Sequence, residues 1–331
     1  MIEKAYRSSL LINRFGLNCT SVNVLRSFVS KSIQQQKSNQ ATPVPTKIAK
    51  KTDDAKIKHL YKQNLEDYFK HREFKFKGES QQKDLQKWME SIYLRKKILI
   101  AIDIEAWERN INKVTEIGIA VYNPDEQLYS ILPKINQFHI LIREHEKMYN
   151  GRYCPNNKGN FMGGVSYTLE LTESKKFVES IINKYSHESK EGIVLVGHHI
   201  EGDLKWLRSI GIQIPSDVPI VDTARIHRLS YESGGSLRGI LRKVGIPHGY
   251  LHNAANDAYY TLLASLAYCD PHTRIQNELD KFHPHIIDLS KPSNKARKRR
   301  ERMYDTSINI QHSNALELFK ELFSDNNKET E

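Results

Sequence analysis

Apolar residues along this 331-residue chain fall into two kinds of run. Short β-branched stretches predict buried strands at 97–103, 114–122, 137–143, 193–198 and 219–223. Segments with apolar positions three to four apart predict helices at 172–186, 202–210, 235–244 and 254–268. Three strands followed by alternating helices and strands predict an α/β fold, a mixed central sheet with helices on both faces. Ahead of it, residues 58–95 alternate charges with Tyr61, Leu65, Tyr68, Phe69, Leu85, Trp88, Met89 and Tyr93, predicting two helices broken near Lys77-Gly78. Between Glu144 and Thr172 lies a loop too long for an ordinary connection.

Composition changes this picture mainly at the ends. The net charge is +11, but residues 1–52 alone carry +8 and residues 291–302 carry +6, so the remainder is slightly acidic. The basicity is a property of the flanks and not the footprint of a basic catalytic domain. The first 52 residues, rich in Ser and Arg and holding only Glu3 as an acid, read as a mitochondrial transit peptide followed by a polar linker that spans residues 31–57. The alternative is a basic arm. Residues 53–94 form a helical extension, 95–272 the central domain, and 273–331 a basic tail. The tail holds a short amphipathic helix around Leu316, Leu318, Phe319, Leu322 and Phe323. Its Lys295–Arg302 cluster reads as a solvated linker, a nuclear localisation signal or a phosphate-backbone patch. A protein partner through the tail or the extension is expected as an option, and oligomeric state is not legible. No stretch approaches the ~18 apolar residues of a membrane span. Cys19, Cys154 and Cys269 lack C-x₂-C spacing, which argues against a disulfide framework and structural zinc and for a reducing compartment.

The candidate chemistry lies in three places. Asp103 and Glu105 stand two apart at the end of the first strand, so both side chains leave one face of an extended segment. Two such carboxylates stay close only with a cation between them, and a hard ion with oxygen ligands, Mg²⁺ or Mn²⁺, suits them. Asp203 opens the helix after Gly197-His198-His199, and His252 precedes an Ala-rich helix that carries Asp257. The spacing H-x₄-D occurs at both His198/Asp203 and His252/Asp257, so spacing alone cannot choose between the histidines.

In order, spacing and flanks these residues resemble the DEDDh exonucleases of the ribonuclease-H-like superfamily. Glu116-Ile117-Gly118 matches a step usual in that family, as do Asn253, Ala254, Asp257, Thr261 and Leu262 after the histidine. The resemblance implies a ribonuclease-H-like fold and a metal-dependent 3′–5′ exonuclease acting on single-stranded or 3′-ended RNA or DNA. Catalytic Asp103, Glu105, Asp203 and Asp257 would hold two ions, with Asp103 bridging, and His252 would act as general base. It also places substrate contacts near the first motif, at Ile104, Glu105, Ala106 and Trp107, and at His199, which stands where the family usually has Asn. The 144–172 loop resembles an insertion in a fungal branch that includes an Argonaute-associated exonuclease. Arg152, Tyr153, Lys158 and Phe161 there are candidates to touch substrate, a disordered surface loop being the other reading. Two rivals remain open: a nucleic-acid-binding or scaffold protein on a nuclease fold, and a zinc enzyme using His198, His199 and His252.

Overall fold

A computed structural model describes residues 47–127, 133–284 and 314–316. The expected transit peptide, most of its linker, the Lys295–Arg302 cluster and all but the first residue of the amphipathic tail helix lie outside the described residues. The chain divides between Ala55 and Lys56, and the second of the two units carries the whole sheet.

The sheet has six strands, β1 (Ile98–Trp107), β2 (Asn110–Tyr122), β3 (Ile135–Ile142), β4 (Ser166–Leu169), β5 (Ile193–Gly197) and β6 (Ile220–Asp222). Their order is β4-β3-β2-β1-β5-β6, with β1–β2 and β2–β3 antiparallel and the other pairs parallel. The helices are α1 (Lys47–His71), α2 (Ser80–Ile92), α3 (Leu171–Glu188), α4 (Glu201–Ser209), α5 (Thr223–Ser230), α6 (Leu237–Lys243), α7 (Ala254–Tyr268) and α8 (Pro271–Gln276). The helix α1 starts at Lys47, inside the segment expected to be linker.

Alternation along β1 sorts its side chains between two cores. Ile98, Ile100, Ile102 and Ile104 meet Val178, Ile181 and Ile182 of α3 and Leu207 of α4. On the other face Leu99 and Ala101 join Leu85 and Met89 of α2, Ile240 and Leu241 of α6, and Ala258 and Leu262 of α7. Leu85 and Met89 are fully buried, each worth about 1.5–3 kcal/mol, so the helical extension packs on the same core as the central domain.

Two features of the sheet shape the surroundings of Asp103. First, β5 pairs with β1 only over Ile98–Ala101, whereas β2 pairs over Leu99–Trp107, with a bulge after Glu105. The sheet therefore opens beside Asp103 and Glu105. Second, Gly118 of β2 stands opposite Asp103, and a Cβ there would lie 2.0 Å from the backbone of Ala254. Only glycine lets the start of α7 rest on the sheet at this point.

A second polar cluster lies away from the opening. Asp280, 2% exposed, accepts from Tyr68 Oη at 2.5 Å, Arg72 Nε at 2.7 Å and Arg274 Nε at 2.9 Å. Fully buried Arg274 also donates to the carbonyls of Tyr268 and Leu279. This node ties the end of the chain's described core to α1.

Candidate active site

Asp103 and Glu105 share the face of β1 that looks toward α7, because they continue the Leu99, Ala101 alternation. Asp203, in the first turn of α4, accepts the backbone N–H of Ile104 at 2.9 Å, which draws it to the same opening. Asp257, in the first turn of α7, arrives by the close approach at Gly118. His252 precedes that helix in the left-handed region at φ +66°, its N–H donating to Asp257 Oδ2 at 2.9 Å. Its Nδ1 stands 3.9 Å from Glu105 Oε1, and one ligand atom each of Glu105, His252 and Asp257 lie within 4.8 Å of one another. Three distant motifs thus converge.

The electrostatics follow from burial and like charge. Burial raises the Asp103 carboxyl well above its ordinary range, and repulsion from Asp257, Asp203, Glu105 and Glu116 adds to it. Glu105 is raised for the same reasons, burial first and then Asp257, Glu116 and Asp203. Asp203 is pushed up to about 7 by burial, against the N–H of Ile104. Each of these shifts records charge that the protein alone leaves uncompensated. The four carboxylates offer oxygen donors that suit a hard divalent cation, and His252 adds a nitrogen donor to the grouping it forms with Glu105 and Asp257.

A family description, the C-terminal domain of DNA polymerase III subunit epsilon-like proteins of the DEDDh type, matches residues 98–268. The chain belongs to the DEDDh 3′–5′ exonuclease family. Its ribonuclease-H-like fold is the α/β architecture that the hydrophobic pattern predicts. Among relatives of this DEDDh chain, "Good for full DBP5 activity protein 2" of Saccharomyces cerevisiae is 38% identical over 223 residues, 59% of this chain and 39% of that protein. An uncharacterised nucleolar protein of Schizosaccharomyces pombe is 32% identical over 171 residues, 49% of this chain and 65% of its own. The chain therefore spans less than two thirds of either relative. The crystal structure of the nuclease domain of 3′hExo, a DEDDh family member bound to rAMP, aligns over 56% of this chain and 95% of its own. It does so at 14% identity and a TM-score of 0.40. Family membership supports a nuclease-type function.

The remaining expected contacts of the DEDDh domain divide by direction. Ile104 alternates away from Asp103 and is buried in the α3–α4 core, so its side chain does not reach the opening, and Ala106, past the bulge, is buried. Their backbone groups are also engaged, Ile104 N–H by Asp203 and the Ala106 carbonyl by Asn150 Nδ2 at 3.0 Å. Trp107, beyond the bulge, is half-buried, with Arg109 5.9 Å from its ring. His199, at φ +56°, donates its N–H to Asp222 and places Nδ1 3.3 Å from Arg228. Asp222 also caps α5 by accepting from Ala224 N–H. His198 bonds Thr223 Oγ1 at 2.9 Å, and burial, then the neighbouring His199, lowers its pKa to about 4. Among the described residues, the one metal-competent grouping contains neither His198 nor His199, so the zinc arrangement is not assembled.

The 144–172 loop is not a free surface loop. Asn253, fully buried, caps α7 and donates from Nδ2 to the carbonyls of Asn157 and Lys158 at 3.0 and 3.2 Å. Asn256 grips Asn160 and Met162, while Asn157 Nδ2 donates to the Leu251 carbonyl at 2.6 Å. Lys158 turns inward, buried, and its ammonium donates to the Met148 carbonyl at 2.7 Å; Phe161 packs on His139. Arg152 and Tyr153 stay outside. Glu108 holds that end by accepting the N–H groups of both; desolvation works against these backbone bonds, which win and lower its pKa. Sequence reasoning missed this latch; Glu116, read as solvated or ion-paired, forms a buried pair with His139 at 2.9 Å beneath it, against the Ala254 N–H. The one legible signal was the repeated Asn at 253 and 256 in the histidine motif.

Proposed function

We propose that this chain is a 3′–5′ exonuclease that removes nucleotides from RNA or DNA by metal-dependent hydrolysis. The observation that carries the reading is the gathering of Asp103, Glu105, Asp203, Asp257 and His252 in one opening, with the strand carboxylates raised by burial and mutual repulsion. The four carboxylates would hold two Mg²⁺ or Mn²⁺ ions, which when bound stabilise charge on the attacking and leaving oxygens of an in-line displacement. His252 takes the proton of the attacking water, whose oxygen bonds to phosphorus as the bond to the 3′ oxygen breaks. A nucleoside 5′-monophosphate leaves, and the shortened strand keeps a 3′ hydroxyl. Asp257, through the His252 N–H, holds the histidine backbone in its left-handed conformation. Trp107 is the proposed contact to the terminal nucleotide, the Ile104 N–H and the Ala106 carbonyl being engaged within the fold.

The full chain incubated with 5′-labelled single-stranded RNA, single-stranded DNA and duplexes is the test. Stepwise shortening from the 3′ end with Mg²⁺ or Mn²⁺, abolished by chelator, is expected. Internal cuts, or no product from any substrate, would overturn the reading, the second result leaving a binding protein on the same fold. The proposed address is the mitochondrial matrix, supported by the basic, acid-poor N-terminus. A fluorescent reporter fused to residues 1–40 should reach mitochondria. Nuclear delivery of the full chain instead would favour the Lys295–Arg302 cluster, an outcome in keeping with the nucleolar relative.

A further inference from the structure

Four carboxylates and the two cations they would hold roughly cancel in charge, so affinity for the rest of the strand has to come from beyond that cluster. A groove of about 570 Å³ runs from Asp257 and His252 between α6 and the tip of the 144–172 loop. Its α6 wall carries Arg238 and Arg242, four residues apart and so on one face of the helix. Tyr153, 63% exposed, and buried Leu251 line it as well. Among the described residues, Asp257 is the single acid in the lining, and it belongs to the proposed catalytic cluster.

Resting on the exonuclease reading, we propose that this groove is the path of the single strand on the 5′ side of the scissile bond. Arg238 and Arg242 pair with phosphates of the upstream nucleotides. The ring of Tyr153 stacks an unpaired base, which a duplex end does not offer. The loop latch then has a purpose: Glu108 and the Asn253–Asn157 bonds fix both ends of the segment that carries Tyr153, so the aromatic wall is presented without paying to order it at binding. The ligand class is single-stranded nucleic acid, recognised through its sugar-phosphate backbone and base faces and not by base edges.

The test uses the full chain and a 5′-fluorescent octanucleotide with phosphorothioate linkages, in RNA and DNA arms, read by anisotropy over a salt series. Cleavage of unmodified two-, four- and eight-nucleotide strands is measured in parallel. Wild-type KM should fall as the strand lengthens. Arg238→Gln with Arg242→Gln should flatten that dependence, raise KM on the octamer about tenfold or more, and leave kcat within about threefold. It should also lower the salt slope of log affinity by about 1.4, the share of two single-strand phosphates. Tyr153→Leu should weaken binding about tenfold with the slope unchanged. Lys83→Gln on α2, away from the groove, is the charge control. If the double variant melts early, Arg242→Glu alone, at an exposed position, carries the test. Binding that depends on the groove in a chain that cuts nothing would support the path and sink the nuclease reading. Binding or cleavage indifferent to these substitutions, or no binding, would overturn the path.

Discussion

The opening at Asp103 and the node at Asp280 both bury carboxylates, and they do so in opposite ways. At the node Asp280 meets two guanidinium groups and a phenol, while Arg274 directs its remaining donors to carbonyls. That set is closed: every charge has an opposite partner within 3 Å, and the cluster's work is to hold α1 and the segment after α8 to the core. At the opening the carboxylates face each other, and the largest influences on Asp103 and Glu105 all raise their pKa. That set is open. Carboxylates crowded together and buried without a cationic partner are costly to ionise, so the node is architecture, while the opening keeps the donor set that a cation would need.

The contrast is broken most severely by Asp103→Asn. Activity should fall by at least about 10⁴-fold, as for one member of a catalytic unit, while the melting temperature without metal stays level or rises because repulsion is relieved. Near-wild-type turnover by the purified variant would remove Asp103 from the site. Next in size, His252→Ala should cost about 10²–10⁴ in single-turnover rate with binding largely kept. His198→Ala should instead lower stability by about 1–3 kcal/mol, through loss of its bond to Thr223. Reversal of these two outcomes would mean that the site is drawn around the wrong histidine.

Asp280→Asn tests the other side of the comparison. It leaves Arg274 buried without its anion and should cost about 3–5 kcal/mol in denaturant unfolding, with kcat per folded molecule unchanged. A variant as stable as wild type would show that the node is not the support described. The smallest effect is in pH. Asp103 and Glu105 are raised and Asp203 sits at about 7 against a free value of 3.8, so the folded state holds protons that the unfolded chain releases. Stability in chelator is then greatest below pH 4 as far as these groups decide it, and declines as pH rises through about 7. Saturating Mg²⁺ at pH 8 should recover several degrees of melting temperature. A melting curve that ignores both pH and metal would make the open cluster as self-sufficient as the node.

What the sequence made legible depends on the range of the forces involved. The strands at 97–103 and 193–198 were legible because β-branched runs declare themselves locally, and the Asp103/Glu105 pair rides on that signal. The extension of β1 to Trp107 was not, since polar residues interrupt the run and the pairing with β2 supplies the order. The strand β4, four residues at the sheet edge inside a long loop, and α5, with Arg225, His227 and Arg228 among its eight residues, show too little apolar pattern. The Asn253 latch and the Tyr68–Asp280 node join residues about 96 and 212 positions apart, which no local pattern encodes.

The glycine opposite Asp103 has a consequence for how this cleft tolerates change. Where two elements meet through side chains, a rotamer can yield and a neighbour can refill the space; where they meet backbone to backbone, there is nothing to rotate. The separation of Asp103 from Asp257 is therefore set by peptide dimensions and is insulated from drift elsewhere in the core. In a saturation library position 118 should accept no other residue, although glycine carries no side chain that could do chemistry.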